Sequence, residues 1–322
     1  MTFSKDVLTI DPAAEAERII SILRHTVHQV MRRSGGVVGI SGGVDSSTVL
    51  ALCARAFGPE KVVAIMMPDQ DSESQSEPLA RLLAERFGVK PILENVTPAL
   101  AGFGCYTRRD EAIRRVFPEY DPAAGYKAKL VLPDNVLTEG TLNFFSVTIV
   151  APGGEEQTKR LPAREFLQIV AASNFKQRSR MAMLYYYAEA HNYAVIGTSN
   201  KNEHKQGFLV KYGDSGVDIQ AIAHLYKTQV YQLAAYLAVP EEIRQRTPTS
   251  DTYSAHQTQE EFFFRLPFKT MDLLWYAQEH DVPVAEVAQV MGLSEVQVQR
   301  AFADFTRKNR TTEYIRMPAV SF

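Results

Sequence analysis

Small and polar residues follow a short apolar stretch near the start of the chain, and their types suit phosphate binding. Residues 37–40 are apolar, residues 41–47 read Ser-Gly-Gly-Val-Asp-Ser-Ser, and residues 48–57 have the composition of a helix. A strand, a glycine turn and a helix in that order point free backbone N–H groups and the positive end of the helix at an anion. The candidate phosphate-binding residues are Gly39, Ser41, Gly42, Gly43, Val44, Asp45, Ser46 and Ser47.

The spacing within residues 41–47 excludes two common phosphate loops. The mononucleotide P-loop requires a lysine directly before its Ser or Thr, and the dinucleotide loop requires three glycines spaced G-x-G-x-x-G. Neither spacing occurs here. Asp45 falls where the next helix is expected to begin, so its carboxylate suits either an N-cap or a Mg2+ ligand beside a polyphosphate.

Two further charged residues are candidates for the same site. Residues 193–198 predict a second strand that ends in a glycine turn, and Glu203 lies just past it. Across a parallel sheet Glu203 would lie opposite Asp45, and two acids there suit one Mg2+ that bridges phosphate oxygens. Lys227 is predicted to open a helix, where its charge opposes the helix dipole, so we expect it to serve a negative ligand.

A helical pattern from Glu165 onward carries Arg178 and Arg180. Residues two positions apart on a helix point about 200° away from each other, so these arginines cannot share one target. We expect one to hold a phosphate and the other to pair internally. Tyr186 and Tyr187 on the same helix are interpreted as core residues.

The elements that must position these residues alternate along the chain. Predicted helices cover residues 11–33, 48–57 and 77–87, and predicted strands cover residues 37–40, 61–68 and 90–96. This alternation predicts an α/β fold with a doubly wound parallel sheet, in which ligands bind at the carboxyl ends of the strands. Residues 69–74 follow one such strand and are candidates for contact with adenine and ribose.

The pattern changes between residues 102 and 164. Strands are predicted at residues 126–132, 143–151 and 158–161, with turns at residues 133–135 and 152–154. Arginines 108, 109, 114 and 115 precede them at helix-like intervals, which fits a solvated helix or a lid or dimer element near the substrate. The segment is interpreted as a small β-rich insertion.

The C-terminal part of the chain has helical periodicity. Helices are predicted at residues 268–279, 284–291 and 294–308, and we interpret residues 261–322 as a helical cap. The aromatic residues Phe262 to Phe264 suit either a dimer surface or a core.

Composition limits the cellular setting and the partners. The 322 residues carry a net charge of -2, from 35 basic and 37 acidic residues, which gives no global reason to expect nucleic acid or an anionic membrane. Two cysteines suggest a reducing compartment, and neither a signal peptide nor a run of ~20 apolar residues is visible. We expect a soluble cytoplasmic protein.

Several segments together resemble a known family. The Ser-Gly-Gly-x-Asp-Ser pattern after an apolar strand resembles the pyrophosphate loop of the N-type ATP pyrophosphatases. The wider pattern resembles the ammonia-dependent NAD synthetases in its order along most of residues 15–250. The segments that carry this resemblance are 41–47, 174–185, 196–203, 207–208, 211–218, 227–228 and 246–249.

The resemblance implies an adenine nucleotide α-hydrolase-like fold in residues 1–260 and an amide ligase that uses ATP and Mg2+. The carboxylate of nicotinic acid adenine dinucleotide (deamido-NAD) would attack the α-phosphorus of ATP and release pyrophosphate. Ammonia would then displace AMP and give NAD. The family forms homodimers, and ammonia would be free or supplied by a glutaminase partner.

The resemblance also implies roles for single residues. Metal ligands would be Asp45 and Glu203. Beside the loop, the ATP contacts would be Thr198, Lys227 and Thr249. Substrate contacts would be Asn174, Arg180, Tyr185, Lys211, Asp214 and Asp218. The catalytic residues would be Asp45, Lys211, Asp214 and Lys227.

Departures from the family pattern leave alternatives open. The insertion is longer than expected, residues 259–264 differ from the family's Asp-Glu and Leu-Gly pairs, and Ile315 stands where a C-terminal lysine is expected. One alternative is the same chemistry on a different carboxylic acid. A second alternative is a non-catalytic nucleotide-binding descendant.

Overall fold

The computed structural model describes residues 3–132, 137, 145–249 and 252–321. Strands within these ranges form one parallel and one antiparallel sheet. They are β1 (Gly36–Gly39), β2 (Val62–Met66), β3 (Pro91–Leu93), β4 (Lys127–Val131), β5 (Ser146–Val150), β6 (Glu156–Arg160), β7 (Ala194–Gly197) and β8 (Ile219–Gln220).

The helices of the described ranges lie before the first strand, between the strands and, from Lys227 onward, after the last strand. They are α1 (Pro12–Arg24), α2 (Val44–Phe57), α3 (Ser76–Arg86), α4 (Thr97–Gly102), α5 (Cys105–Arg114), α6 (Ala163–His191), α7 (Lys201–Gln206), α8 (Lys227–Tyr236), α9 (Glu241–Gln245), α10 (Phe268–Glu279), α11 (Val284–Met291), α12 (Glu295–Thr311) and α13 (Glu313–Arg316). Short π-helical segments occupy residues 25–30 and 260–264.

The larger sheet is parallel throughout and has the strand order β3-β2-β1-β7-β8. Its central strand, β1, is apolar on both faces, and Val37 and Val38 are fully buried. A strand covered by helices on both faces needs such a continuous apolar run. The predicted doubly wound α/β sheet is therefore confirmed.

Helix α2 begins earlier than predicted, at Val44 rather than at residue 48. Gly43 is its N-cap, and the hydroxyls of Ser46 and Ser47 donate to the Gly43 carbonyl at 3.1 and 2.7 Å. Asp45 lies in the first helical turn and does not cap the helix, so the N-cap interpretation of its carboxylate is wrong. Its side chain is free to face another element.

The predicted β-rich insertion contains the antiparallel sheet β4-β5-β6. The predicted turn at residues 133–135 and the first two residues of the strand predicted at 143–151 lie outside the described residues. Helix α5 precedes the sheet and packs along α6. Arg109 of α5 is 2% exposed, so a solvated position is wrong for this arginine.

The C-terminal helices α10 and α11 have their predicted bounds, and α12 extends beyond the predicted end. Their core includes Phe3 and Leu8 from the other end of the chain. Phe264 is fully buried in this core, whereas Phe262 and Phe263 are partly buried. The predicted domain division at residue 260 stays a prediction.

The long helix α6 presents one side chain differently from expectation. Tyr186 is 62% exposed, so its interpretation as a core residue is wrong.

Within the described part of the chain, no helix has the length and apolar character needed to cross a membrane.

Candidate functional site

A cavity of about 520 Å³ lies at the carboxyl ends of β1, β2 and β7. Residues 40–46 follow β1, Met67 and Pro68 follow β2, and Thr198 and Ser199 follow β7, and side chains from each of these segments line it. The carboxyl ends of parallel strands are where α/β sheets bind ligands. The folded chain therefore has a cavity at the edge of the sheet where the sequence predicted that ligands bind.

The turn between β1 and α2 depends on a glycine. Gly42 has a φ of +72°, and a Cβ there would lie 2.8 Å from the Ser76 carbonyl oxygen and 2.9 Å from the Leu79 Cβ. Only glycine combines this backbone conformation with such a close approach. The tight turn directs the first amides of α2 toward the cavity, where they can receive an anion.

Lys227 and Asp45 form an ion pair at this end of α2. The Lys227 ammonium donates a hydrogen bond to Asp45 Oδ2 and is fully buried. Burial opposes its charge, but Asp45 and Glu203 outweigh that effect and raise the pKa of Lys227. The lysine is therefore charged, and its charge lies among acids at the phosphate-binding turn.

Asn200 joins the two predicted metal-binding acids. Its side-chain amide donates to Asp45 Oδ1 at 3.0 Å, and its Oδ1 accepts from the Glu203 backbone N–H at 3.1 Å. The Glu203 carboxylate in turn accepts from the Asn200 backbone N–H at 3.1 Å, which completes a capping box on α7. A single helix cap thereby orients both carboxylates.

The electrostatics of Glu203 favour a cation. Burial and the nearby Asp45 carboxylate together raise the pKa of Glu203 to about 8, and Lys227 opposes the rise. Two neighbouring carboxylates raise each other's pKa, and a bound cation stabilises the ionised form of both.

Oxygen donors of the type that Mg2+ prefers lie together here. Beside Asp45 and Glu203, the buried Gln259 Oε1 has no hydrogen-bond partner among the described residues, and Gln259 Nε2 lies 3.4 Å from Glu203 Oε1. In the described ranges no group of three or more His, Cys, Asp or Glu side chains is placed to hold a metal ion, so the candidate set here is two acids and one amide. This set fits a magnesium ion that takes its remaining ligands from water and phosphate.

A chain of buried charges holds the loop after β2. Lys176 donates to Asp69 at 3.0 Å and to Asp71 at 2.7 Å, and Arg109 donates to Asp71 at 2.5 Å. Burial opposes the charged form of Asp71, but Arg109 and Lys176 outweigh it and lower its pKa. Within the loop predicted to contact adenine and ribose, both acids are thus neutralised internally, while Ser72 lines the cavity.

The two arginines of α6 have different partners. Arg180 donates to Asp69 Oδ2 at 2.9 Å and to the Met67 carbonyl at 3.0 Å, and it also lines the cavity. Arg178 is exposed and donates to the Lys211 carbonyl at 3.3 Å. Arg180 therefore pairs with an internal carboxylate and also reaches the cavity, so the expected division of these two roles between the arginines stays a prediction.

Asp214 is a partly buried residue of the loop 207–218, and it lines the cavity. Its Oδ1 accepts from the Val210 backbone N–H at 2.6 Å. Burial raises the pKa of Asp214 to about 6, although backbone hydrogen bonds oppose the rise. A carboxyl group with this pKa can accept or release a proton near neutral pH.

Most of the predicted site residues line the cavity. They are Gly39, Ser41, Gly43, Val44, Asp45, Ser46, Asn174, Arg180, Thr198, Glu203, Asp214, Lys227 and Thr249.

Five predicted residues, all within the described ranges, lie outside that lining. Gly42 packs on α3, and Ser47 is buried beneath the turn. Tyr185 donates to Asp218 at 3.0 Å, and Lys211 donates to the Tyr314 carbonyl at 3.1 Å. The roles of these residues in the site stay predictions.

Besides Gln259, three polar or charged residues near the cavity carried no predicted role. They are Lys176, Asn200 and Arg246. Arg246 lies 3.4 Å from the carbonyls of Ser41 and Gly42 and pairs with Glu73 at 2.7 Å, so it joins the loops after β1 and β2. The Asn-x-x-Glu spacing of a capping box is the sequence signal for Asn200; Lys176 and Arg246 depend on distant partners that no local spacing reveals.

Comparison with known proteins identifies the family. The sequence model of the NAD synthase family matches residues 15–116 and 152–316, which leaves a gap inside the predicted insertion. A protein of Mesorhizobium japonicum named NH3-dependent NAD+ synthetase is 48% identical over 309 residues, which are 96% of each chain. A protein of Thermotoga maritima with the same name is 34% identical over 287 residues, 87% of this chain and 95% of the other.

Solved structures share the fold. An NH3-dependent NAD synthetase from Campylobacter jejuni, in complex with nitrate, has a TM-score of 0.62 and 22% identity and covers 97% of this chain and 100% of its own. An NMN synthetase from Francisella tularensis has a TM-score of 0.63 and 20% identity, over 97% and 98%. The family predicted from the sequence is confirmed, and the chain belongs to the NAD synthase family.

Proposed function

We propose that this chain is an ammonia-dependent ligase that converts nicotinic acid adenine dinucleotide to NAD. The carboxylate of the dinucleotide attacks the α-phosphorus of ATP, and the bond to pyrophosphate breaks. Ammonia then attacks the acyl carbon of the mixed anhydride, the bond to AMP breaks, and the amide forms. The names of the relatives that are 34–48% identical support this choice of substrate.

One arrangement carries the proposal: the Lys227 ammonium lies against Asp45 at the N-terminal end of α2, with Glu203 close by. Adenylation develops negative charge on the leaving pyrophosphate. Fixed positive charge and free amides that are already in place lower the barrier of such a step without reorganisation. The arrangement suits loss of pyrophosphate from ATP.

Each part of the cavity has a role in this reaction. Amides of residues 43–46 receive the pyrophosphate, and Thr198 and Thr249 contact the nucleotide. Lys227 neutralises developing charge on the phosphate oxygens. Asn174 and Arg180, which line the wall formed by α6, orient the dinucleotide so that its carboxylate meets the α-phosphorus.

Magnesium belongs to the proposal. Asp45 and Glu203 would hold the ion, with Gln259 as a neutral oxygen donor. When bound, Mg2+ would supply positive charge that offsets the charge of the phosphate groups. Asn200 would hold both carboxylates in place for the ion. Its side-chain amide bonds to Asp45, and the capping box that it forms with Glu203 fixes the Glu203 carboxylate.

Asp214 is proposed as the proton acceptor for the second step. Ammonia must lose a proton after it attacks the acyl group, and a carboxylate with a pKa near 6 accepts it at neutral pH. Lys211, Tyr185 and Asp218 are retained as substrate contacts. They lie outside the lining of the cavity in the single chain. A homodimer in which a second copy completes the binding surface is retained as part of the proposal, from the resemblance to the family.

The test is ATP–pyrophosphate exchange with a series of carboxylic acids, followed by AMP formation with ammonia. The proposal predicts exchange that depends on nicotinic acid adenine dinucleotide and an amide product only when ammonia is added. Exchange with a different acid alone, for example the corresponding mononucleotide, would favour the alternative substrate. No exchange with any acid, despite ATP binding, would favour a non-catalytic descendant.

Glutamine serves as the control for the nitrogen source. Free ammonia should support the reaction, whereas glutamine should support it only if a separate glutaminase is present.

A cytoplasmic location is retained as a prediction from composition.

A further inference from the structure

The N-terminal end of α8, which carries Lys227, is held by a buried carboxylate from the C-terminal helices. Asp272 of α10 accepts from the Thr228 backbone N–H and from the Thr228 hydroxyl, both at 2.8 Å. Thr228 follows Lys227 directly in the first turn of α8. Asp272 therefore satisfies a helix-terminal amide that has no partner within the helix.

The same carboxylate reaches α7. Asn202 Nδ2 donates to Asp272 Oδ1 at 2.5 Å, and Asn202 Oδ1 accepts weakly from the Lys227 backbone N–H at 3.4 Å. Asn202 is adjacent to Glu203, the predicted metal ligand. One side chain of α10 is thus bonded both to α7, which carries Glu203, and to α8, which carries Lys227.

The hydrogen bonds of this arrangement matter because its members are buried. Asp272, Asn202 and Lys227 are all fully buried. A buried carboxylate is costly unless every oxygen is hydrogen-bonded, and here Oδ1 and Oδ2 accept from different elements. The ring of Phe268, also in α10, lies 5.2 Å from the Lys227 ammonium. Helix α10 therefore constrains Lys227 at its backbone and at its side-chain end.

We propose that Asp272 is a positioning residue that fixes the Lys227 ammonium against Asp45 and beside Glu203. The proposal rests on the function proposed above, because it assigns Asp272 a part in the use of ATP. It makes the C-terminal helices a component of the ATP site, in addition to their predicted place as a cap.

The substitution Asp272→Asn keeps the size of the side chain but replaces one acceptor oxygen with a donor. That donor must face either the Asn202 amide or the Thr228 N–H, so one of the two helices loses its bond. Since a misplacement of about 1 Å can lower the rate about 100-fold, we expect kcat for AMP formation to fall about 10–100-fold.

A double-mutant cycle tests whether the effect passes through Lys227. The four proteins are the wild type, Asp272→Asn, Lys227→Met and the double variant. We expect Asp272→Asn to weaken binding of ATP and lower kcat when Lys227 is present, and to change both by less than about 2-fold when residue 227 is methionine. Equal losses in both backgrounds would show a merely structural role and overturn the proposal.

Two further variants distinguish a positioning role of Asp272 from a general loss of stability. Thr228→Val removes one bond to Asp272 without a change of charge, and we expect a smaller loss, about 3–10-fold, with the same dependence on Lys227. Asp304→Asn is the matched control: Asp304 is a buried carboxylate of α12 that pairs with Arg307 and Lys308 of its own helix. We expect it to lower thermal stability and to leave ATP binding and kcat within about 2-fold.

ATP binding separates this inference from the proposed function. A wild type that binds ATP but forms no AMP from the dinucleotide would refute the proposed function, while the binding cycle would still judge Asp272. If Asp272→Asn folds and binds ATP as tightly as the wild type, the positioning role is wrong.

Discussion

The Lys227 ammonium donates a hydrogen bond to Asp45, although 182 positions separate the two residues in the chain. The lysine side chain is fully buried and the aspartate side chain is 15% exposed. Buried ion pairs cost desolvation energy and are weak evidence for stability alone. This pair lies at the predicted phosphate-binding turn, where we propose that its charges serve the reaction.

Removal of the Asp45 carboxylate should abolish the reaction without unfolding the protein. We expect Asp45→Ala to abolish AMP formation, because the variant loses a proposed metal ligand and the partner that holds Lys227. AMP release from ATP and the circular dichroism spectrum should be measured on the same preparation. Turnover retained in a folded variant would refute the metal role of Asp45.

The ion pair between Arg109 and Asp71 should matter for stability. Both side chains are nearly fully buried. Removal of the Arg109 guanidinium leaves Asp71 with Lys176 as its remaining cation and takes the paired cation from the Asp110 carboxylate. We expect Arg109→Met to lower the free energy of unfolding by about 3–5 kcal/mol, measured by urea denaturation.

Arg81→Met provides the matched control for Arg109→Met. Arg81 pairs with Glu77 on the surface, and its side chain is 50% exposed. We expect a loss below about 1 kcal/mol, because exposed ion pairs contribute little. Equal losses for the two variants would show that burial of the Arg109 pair has no energetic consequence.

Asp214 should make stability depend on pH. Its pKa is about 6 in the folded protein and 3.8 as its ordinary value, so between these pH values the folded state keeps a proton that the unfolded state has released. The free energy of unfolding therefore falls as pH rises through this window, by roughly 1–3 kcal/mol. Urea denaturation of the wild type and Asp214→Asn at several pH values should reveal the difference.

The comparison isolates one group, because the other titrating residues are shared by both proteins. The wild type should lose stability relative to Asp214→Asn as pH rises from about 4 to about 6, and the difference should then stay constant. Parallel curves across the whole range would contradict burial of the Asp214 carboxyl group.

Gly207 should not tolerate a side chain. It has a φ of +78°, and a Cβ there would lie 2.2 Å from the Thr312 Cβ. We expect Gly207→Ala to lower the free energy of unfolding by about 2–4 kcal/mol, of which about 1–2 kcal/mol comes from the backbone conformation.

The variant Thr312→Gly separates the two causes. In that background the steric clash is gone, so Gly207→Ala should cost only the backbone part. The four proteins can be compared by thermal unfolding. The same loss in both backgrounds would mean that the C-terminal helices do not press on Gly207 in solution.

Local patterns in the sequence were enough for several parts of the fold. Residues 41–47 predicted a phosphate-binding turn because the geometry of a strand, glycine turn and helix depends on neighbouring residues. The bounds of α10 and α11 were correct because amphipathic periodicity is a property of each helix alone. The motifs also led to the correct family.

Expectations that rested on exposure were less reliable. Arg109 was expected on a solvated helix and is buried, whereas Tyr186 was expected in the core and is exposed. A helical pattern states which residues share a face, but it does not state which other elements cover that face.

The sequence by itself determined the order of the elements, the glycine turn between β1 and α2, and the charged residues available for chemistry. Only the tertiary structure decided that Lys227 pairs with Asp45, that Arg180 of α6 pairs with Asp69, and that Asp272 holds the start of α8. The physical reason is that the state of a charged side chain depends on its burial and its partners, and here the partners come from distant parts of the chain.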